Sequence, residues 1–255
     1  MEERRSRRLR EQRSPRVNMF RHLGLIFATG AMLATFFTAF TPYGLTYGLG
    51  QDYEPPAADP DILFLTPTPR PRPKIGIVAG HWGLDEGAIC PDGLTEVSLN
   101  LNVATRVKEA IAEQGFDVDL LQEKDERLDG YKALVLISIH ADSCAYYGTD
   151  ATGFKVAPTF ASARPEKSER LVACIYSRYQ EATGLPFHRG ITDDMTSYHT
   201  FDEIHTDTTA AIIETGFMNL DRQILEDQPD LIAAGIVNGI LCYIRNEDAS
   251  LPESP

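Results

Sequence analysis

The sequence predicts an α/β domain with a mixed, largely parallel central sheet and helices on both faces, preceded by an N-terminal transmembrane helix. Three observations carry this. From residue 74 onward, short β-branched apolar runs alternate with stretches of helical period, the pattern of strands joined by crossover helices. The run Ala133–Ile139 (ALVLISI) is almost wholly apolar, as expected of a strand covered on both faces. No charge occurs from Leu23 to Gln51, directly after an arginine-rich start.

Residues 1–22 carry eight Arg against three Glu, a net +5 in a chain of net −13, which leaves −18 for the rest. They are expected to stay in the cytoplasm, because positive charge flanks only one side of the apolar stretch. Residues 23–47 are read as a membrane anchor. Their most apolar part, Leu23–Phe40, is eighteen residues long, close to the ~20 that cross a bilayer as a helix. A cleaved signal peptide is the competing reading. It calls for a shorter apolar region and a small-residue cleavage site, of which Ala28–Gly30 and Thr38–Phe40 are poor versions. On either reading the remainder lies outside the cytoplasm. Residues 48–73 form a linker. Seven of the sixteen prolines fall within 51–73, which prevents helix or central strand and favours an extended spacer. Residues 74–247 form one domain and 248–255 a tail.

Within the domain, Lys74–Gly80 (KIGIVAG) reads as a buried strand. Thr95–Gly115 reads as a helix. Thr95 can cap it, Leu99, Val103, Val107, Ala110 and Ile111 recur at helical spacing, and Gly115 stops it. Phe116–Leu121 and Ala133–Ile139 are the next two strands, and Gly153–Val156 is a short further one. Pro165–Thr183 fits a helix with Leu171, Ile175 and Tyr179 on one stripe. Ala210–Ile213 is again a buried strand, and Asp221–Ile244 is one or two helices broken near Pro229.

Composition excludes several classes. At 43% hydrophobic and 24% charged the chain is not disordered throughout. Four cysteines with no C-x-x-C pair exclude a disulfide scaffold and a zinc ribbon. An acidic body offers no broad electrostatic footprint, so no nucleic-acid partner is expected. Cys174 and Cys242 fall on apolar helical stretches and are expected to be buried free thiols.

Each of three apolar strands runs into one ionisable side chain: KIGIVAG into His81, ALVLISI into His140, and AAII into Glu214. In open α/β sheets the ligand crevice lies at the carboxyl ends of the strands, so parallel strands would bring the three to one rim. Glu96 precedes Leu99 by three residues and Val103 by seven, on the core-facing stripe of its helix. An inward carboxylate is costly unless paired or bound to metal. Two His and a Glu around an open position make a catalytic zinc shell, with a second carboxylate as base. Read singly, each is as well explained as a rim histidine, a cap or a structural acid, and no H-E-x-x-H motif accompanies them.

At these residues the chain resembles the zinc-dependent N-acetylmuramoyl-L-alanine amidases, which cleave peptidoglycan. The likeness runs from about Lys74 to Ile244. The family's first pattern is a strand, Gly-His-Gly-Gly, an Asp-x-Gly-Ala turn, Gly-x-x-Glu and a helical Asn. Here its positions are Gly80, His81, Asp85, Gly87, Ala88, Gly93, Glu96 and Asn100. The second, Ser-Ile-His-Ala-Asn, stands as Ser138–Asp142 and is followed by Gly153–Val156. The third, Glu-x-Gly-Phe, is Glu214–Phe217. The resemblance implies one Zn2+ per chain held by His81, Glu96 and His140. It makes Glu214 the catalytic acid/base, and the reaction is hydrolysis of the amide between N-acetylmuramic acid and L-alanine. Departures are Trp82 for Gly, Glu86 for Pro, Asp142 for Asn, a short segment Gln122–Lys132, and a contracted Met218–Asp221.

The implied partners are peptidoglycan, the membrane through the N-terminal helix, and a regulatory protein of unknown identity. Two other functions keep this fold: a peptidoglycan-binding or regulatory module, and a zinc hydrolase of another peptide or amide. Asp85 has two readings, orienting a ligand or forming a turn. Trp82 either packs or stacks on a sugar. His188, His199 and His205 either line a groove or are ordinary loop histidines. Cys90 and Cys144 lie on loops beside two of the ligand positions, where an oxidising compartment permits a disulfide.

Overall fold

The computed structural model describes residue 29, residues 31–32 and residues 71–251. The chain divides into two compact units, Met1–Thr68 and Pro69–Pro255. In the first, Thr29, Ala31 and Met32 are described, all helical. Otherwise the expected basic segment and anchor, and the linker up to residue 70, lie outside the described residues. Among the described residues no helix is long and apolar enough to cross a membrane.

The second unit holds a sheet of five strands: β1 (Lys74–Ala79), β2 (Asp117–Leu121), β3 (Val135–Asp142), β4 (Lys155–Pro158) and β5 (Thr209–Phe217). Their order is β2-β1-β3-β5-β4. The first four neighbours run parallel and β4 pairs antiparallel with β5, so the sheet is mixed. β1 and β3 are central, which is why their sequences are nearly continuous apolar runs. β4 begins two residues later than expected. Gly153 has φ +96, and a Cβ there would run into the Pro186 carbonyl, so the chain is still turning at that point. β5 continues past the apolar AAII through Glu214 to Phe217, because pairing on both edges satisfies its backbone whatever the side chains.

Three long helices, α1 (Glu96–Glu113), α2 (Pro165–Thr183) and, after the short helices α3 (Asp193–Thr196), α4 (Thr200–Glu203) and α5 (Arg222–Asp227), α6 (Pro229–Ile244), supply most of the helical residues. All three pack on one face, against Ile75, Ile77, Ile137, Ile139 and Ile213. The opposite face, with Val78, Leu136, Ala210 and Ile212, is covered by Leu128, Tyr131, Met195, Tyr198, Phe201 and Ile204. These come from a 3-10 turn (Glu126–Leu128), α3, α4 and their loops. Helices thus cover both faces as expected, long ones on one and single-turn ones on the other. Residues 122–134 and 184–208 are short or polar and lack the apolar stripe that a long helix would need.

Thr95 stands at the N-cap of α1, but its side chain makes no capping bond. Cys174 and Cys242 are not free thiols. They are bridged, with Cα atoms 5.7 Å apart. A Cβ at Gly239 would sit 2.7 Å from Ile175 Cα, and one at Gly235 3.0 Å from Tyr179 Cα. Two glycines therefore let α6 and α2 approach closely enough for the cysteines to meet. Cys90 and Cys144 are also bridged, Cα to Cα 5.3 Å.

Candidate active site

Strand register assembles the site. His140 pairs across β3–β5 with Glu214, and Glu214 pairs across β5–β4 with Lys155. Paired residues point to the same side, so these three side chains form a row on the sparsely covered face. His81 follows β1 with φ 66, a conformation uncommon for a residue bearing a Cβ. Glu96 opens α1, where its charge suits the helix N-terminus.

One oxygen organises the centre. Glu96 Oε1 lies 3.2 Å from His81 Nε2 and 3.2 Å from His140 Nδ1. One ligand atom from each of the three residues lies within 4.8 Å of the others, so this cluster can hold a metal ion. Glu96 Oε1 also accepts from Asn100 Nδ2, and its Oε2 accepts from Ala88 N–H, which anchors the carboxylate in place. Gly80 and Gly87 make room: a Cβ at either would strike the His140 ring or Glu96.

The electrostatics favour positive charge at that point. The hydrogen bond to Glu96 raises the His81 imidazole to about 9, against the pull of desolvation and with help from Asp85. Burial opposes the rise at His140, yet Glu96, Glu214 and Glu123 carry it upward. Burial would likewise lift Glu96, but both imidazoles hold it well below the usual carboxylate range. A field that draws protons onto two imidazoles is one that a divalent cation would satisfy, so the donor set fits a metal.

Glu214 is different. Its Oε2 is sealed from solvent with no hydrogen-bond partner. Burial pushes its carboxyl up to about 7, reinforced by Glu96 and Asp142 and opposed by His140 and Lys155. Such a group can hold and release a proton near neutrality. A cleft of about 680 Å³ opens over His81, Glu96, His140 and Glu214.

The model of the N-acetylmuramoyl-L-alanine amidase family matches residues 75–242. The chain belongs to that family. It is 32% identical over 114 residues to the amidase AmiC of Neisseria meningitidis serogroup B, covering 38% of this chain. The match takes in 27% of AmiC, about a quarter of that curated relative's length. The amidase domain is similar in structure to Ami1 of Mycobacterium smegmatis, with TM-score 0.59 and 17% identity over 69% of this chain and 99% of that one. It is also similar to the CwlD amidase of Clostridioides difficile, solved with the GerS lipoprotein. There the TM-score is 0.56 and identity 21%, over 69% of this chain and all of CwlD.

The remaining candidates of the amidase domain divide. Asp85 Oδ1 lies 2.6 Å from His81 Nδ1 and accepts from Gly87 N–H at 2.9 Å in a turn. Trp82 packs against the core and lines neither neighbouring cavity. His199 lines the cleft. His188 lines the adjoining cavity against the Phe217 ring. His205 lines neither of these cavities. Asp142, where the family has Asn, forms a part-buried ion pair with Lys155. Sequence reasoning missed Lys155, Tyr198 and above all Glu123, which is 4% exposed and lines the cleft. Glu123 follows β2 as His81 follows β1, so the strand-end rule would have found it had it been applied to Asp117–Leu121.

Proposed function

We propose that this protein is a zinc-dependent peptidoglycan amidase that hydrolyses the bond between N-acetylmuramic acid and L-alanine. The observation that carries the reading is Glu214: a carboxyl whose Oε2 is sealed and unpartnered, raised to about 7, in one strand row with His140 and lining the cleft where three donor atoms converge. His81, Glu96 and His140 would hold the ion. Zinc at that position supplies Lewis acidity that lowers the pKa of water and polarises a carbonyl. Glu214, ionised, accepts a proton from water as its oxygen bonds to the amide carbon. Glu214 then passes that proton to the nitrogen as the C–N bond breaks, since an amine leaves poorly unless protonated. Family membership and the intact site support an enzyme over a binding module.

The protein's place is also a proposal: anchored by residues 23–47, or released after signal cleavage, with the amidase domain outside the cytoplasm. Two disulfides among the described residues support this, because such bridges persist in oxidising compartments.

The test uses the full-length chain on purified sacculi. Wild type is expected to bind about one zinc and to release new alanine amino termini without new reducing ends. Glu214→Ala should keep its zinc and lose most of the hydrolysis. Cleavage inside the stem peptide, no cleavage, or a fully active Glu214→Ala would overturn the reading.

A further inference from the structure

Glu123 is a buried carboxylate on the loop after β2, and burial of such a charge is costly unless its partners repay it. Its partners are unusual in kind. It accepts from the His81 backbone N–H at 2.8 Å, from the Tyr198 hydroxyl at 2.8 Å and from His199 Nε2 at 2.8 Å. Its Oε2 stands 3.7 Å from His140 Nε2, an atom sealed from solvent that has no hydrogen bond of its own. His199 is held in turn by Glu203 through its other nitrogen, at 3.0 Å.

The two imidazoles are arranged as mirror cases. His81 turns Nε2 toward Glu96 and has the Asp85 carboxylate behind Nδ1. His140 turns Nδ1 toward Glu96 and has the Glu123 carboxylate behind Nε2. A ligating imidazole needs a bare nitrogen toward the ion and its proton on the other, and a carboxylate behind the ring fixes that choice. Glu123 does a second thing. Its bond to the His81 N–H pins a backbone at positive φ, from which the first imidazole is presented.

We infer that Glu123 is a positioning residue that serves both imidazole ligands at once, setting His140 as the Nε2–H tautomer with Nδ1 toward the ion and fixing the backbone from which His81 projects. This rests on the metal-site reading proposed above. Tyr198 and His199, both bonded to its Oε1, keep the carboxylate aimed.

The test compares full-length wild type with Glu123→Ala and Glu123→Gln; the Gln variant keeps the size of the side chain and an acceptor oxygen for the His81 N–H. Zinc affinity is measured by competition with a chromophoric chelator. The ligating nitrogens are identified from one-bond couplings between 113Cd and 15N in cadmium-loaded, histidine-labelled protein. Wild type should couple through His140 Nδ1 and His81 Nε2. Zinc affinity should fall roughly 10–100-fold in Glu123→Ala, and less in Glu123→Gln. The Gln variant should also lose the single well-defined His140 coupling while melting close to wild type. Coupling through His140 Nε2 in wild type, or variants that bind zinc within twofold of wild type, would overturn the inference and leave the metal site standing. A wild type that binds neither zinc nor cadmium would instead overturn the site itself.

Discussion

Gly80→Ala adds one methyl group to the turn after β1 and removes none of the candidate ligands. A Cβ at that position would stand 2.5 Å from each ring nitrogen of His140, against the 3.4 Å where ordinary contact begins. One of the two must yield by about 1 Å. The Gly80 backbone is held on both sides, its N–H on the Ile139 carbonyl at 2.9 Å and its own carbonyl accepting from Asn100. The ring is 6% exposed, with His81 and Tyr198 edge-on at centroid distances of 5.2 and 5.4 Å. The displacement therefore falls on His140 itself. Overpacking of this kind costs ~1–3 kcal/mol, and a misplacement of ~1 Å in a catalytic constellation costs about 10²-fold in rate. The assay pairs zinc competition with sacculus digestion and thermal melting of the same preparation. Expected are a folded protein with a modestly lowered Tm, zinc affinity down roughly 10–100-fold, and hydrolysis down about 100-fold. A variant that binds zinc and cleaves like wild type would refute the claim that His140 is fixed at this contact.

Two further outcomes follow from the burial of Glu214 and from the helix–helix bridge. Because the folded protein holds the Glu214 proton from its ordinary 4.5 up to about 7, the chelator-treated protein binds more protons at this site than the unfolded chain across that window. Its contribution to stability is full below about 4.5 and is lost as pH rises through 7. The Tm of Glu214→Gln should thus fall less between pH 5 and pH 7.5 than that of wild type, and parallel curves would count against a raised Glu214. Replacing both Cys174 and Cys242 by Ala opens a loop of 68 residues, which the chain-entropy model values at about 4 kcal/mol. Denaturant unfolding should show that loss, whereas an unchanged midpoint would mean that the bridge constrains little.

Much of this was legible because strand ends and helix faces have fixed periods. His81, His140 and Glu214 each follow an apolar run, and parallel pairing brings the ends of such runs to one edge. Glu96 sat on the same stripe as Leu99 and Val103, and its burial follows from that spacing. The cover of the second face was not legible. Met195, Tyr198 and Phe201 lie on single turns too short to show a helical period, and only the sheet they rest on makes them core. Nor did the sequence reveal that α2 and α6 would meet at Gly235 and Gly239, so Cys174 and Cys242 looked like separate apolar positions rather than a pair. Lys155 was hidden for a related reason. A lysine in a short strand reads as solvent-facing until its register beside Glu214 and its pairing with Asp142 are known.

Two glutamates, Glu123 and Glu214, line the same cleft, and geometry decides which of them carries the proton. Glu123 accepts from a backbone N–H, a hydroxyl and an imidazole. Burial would raise its pKa, but the charge of His140 and those donors outweigh it and bring it below the ordinary value. Glu96 is bound by two imidazoles and Asn100, and Asp142 by Lys155 and the Ser143 N–H. The donors to Glu123 and Glu96 favour the ionised form of each. Glu214 Oε2 has been given none, and burial holds the proton there. A site that satisfies three of its acids and starves the fourth separates them by role. On the proposed reading the satisfied ones orient or ligate, and the starved one exchanges a proton near pH 7.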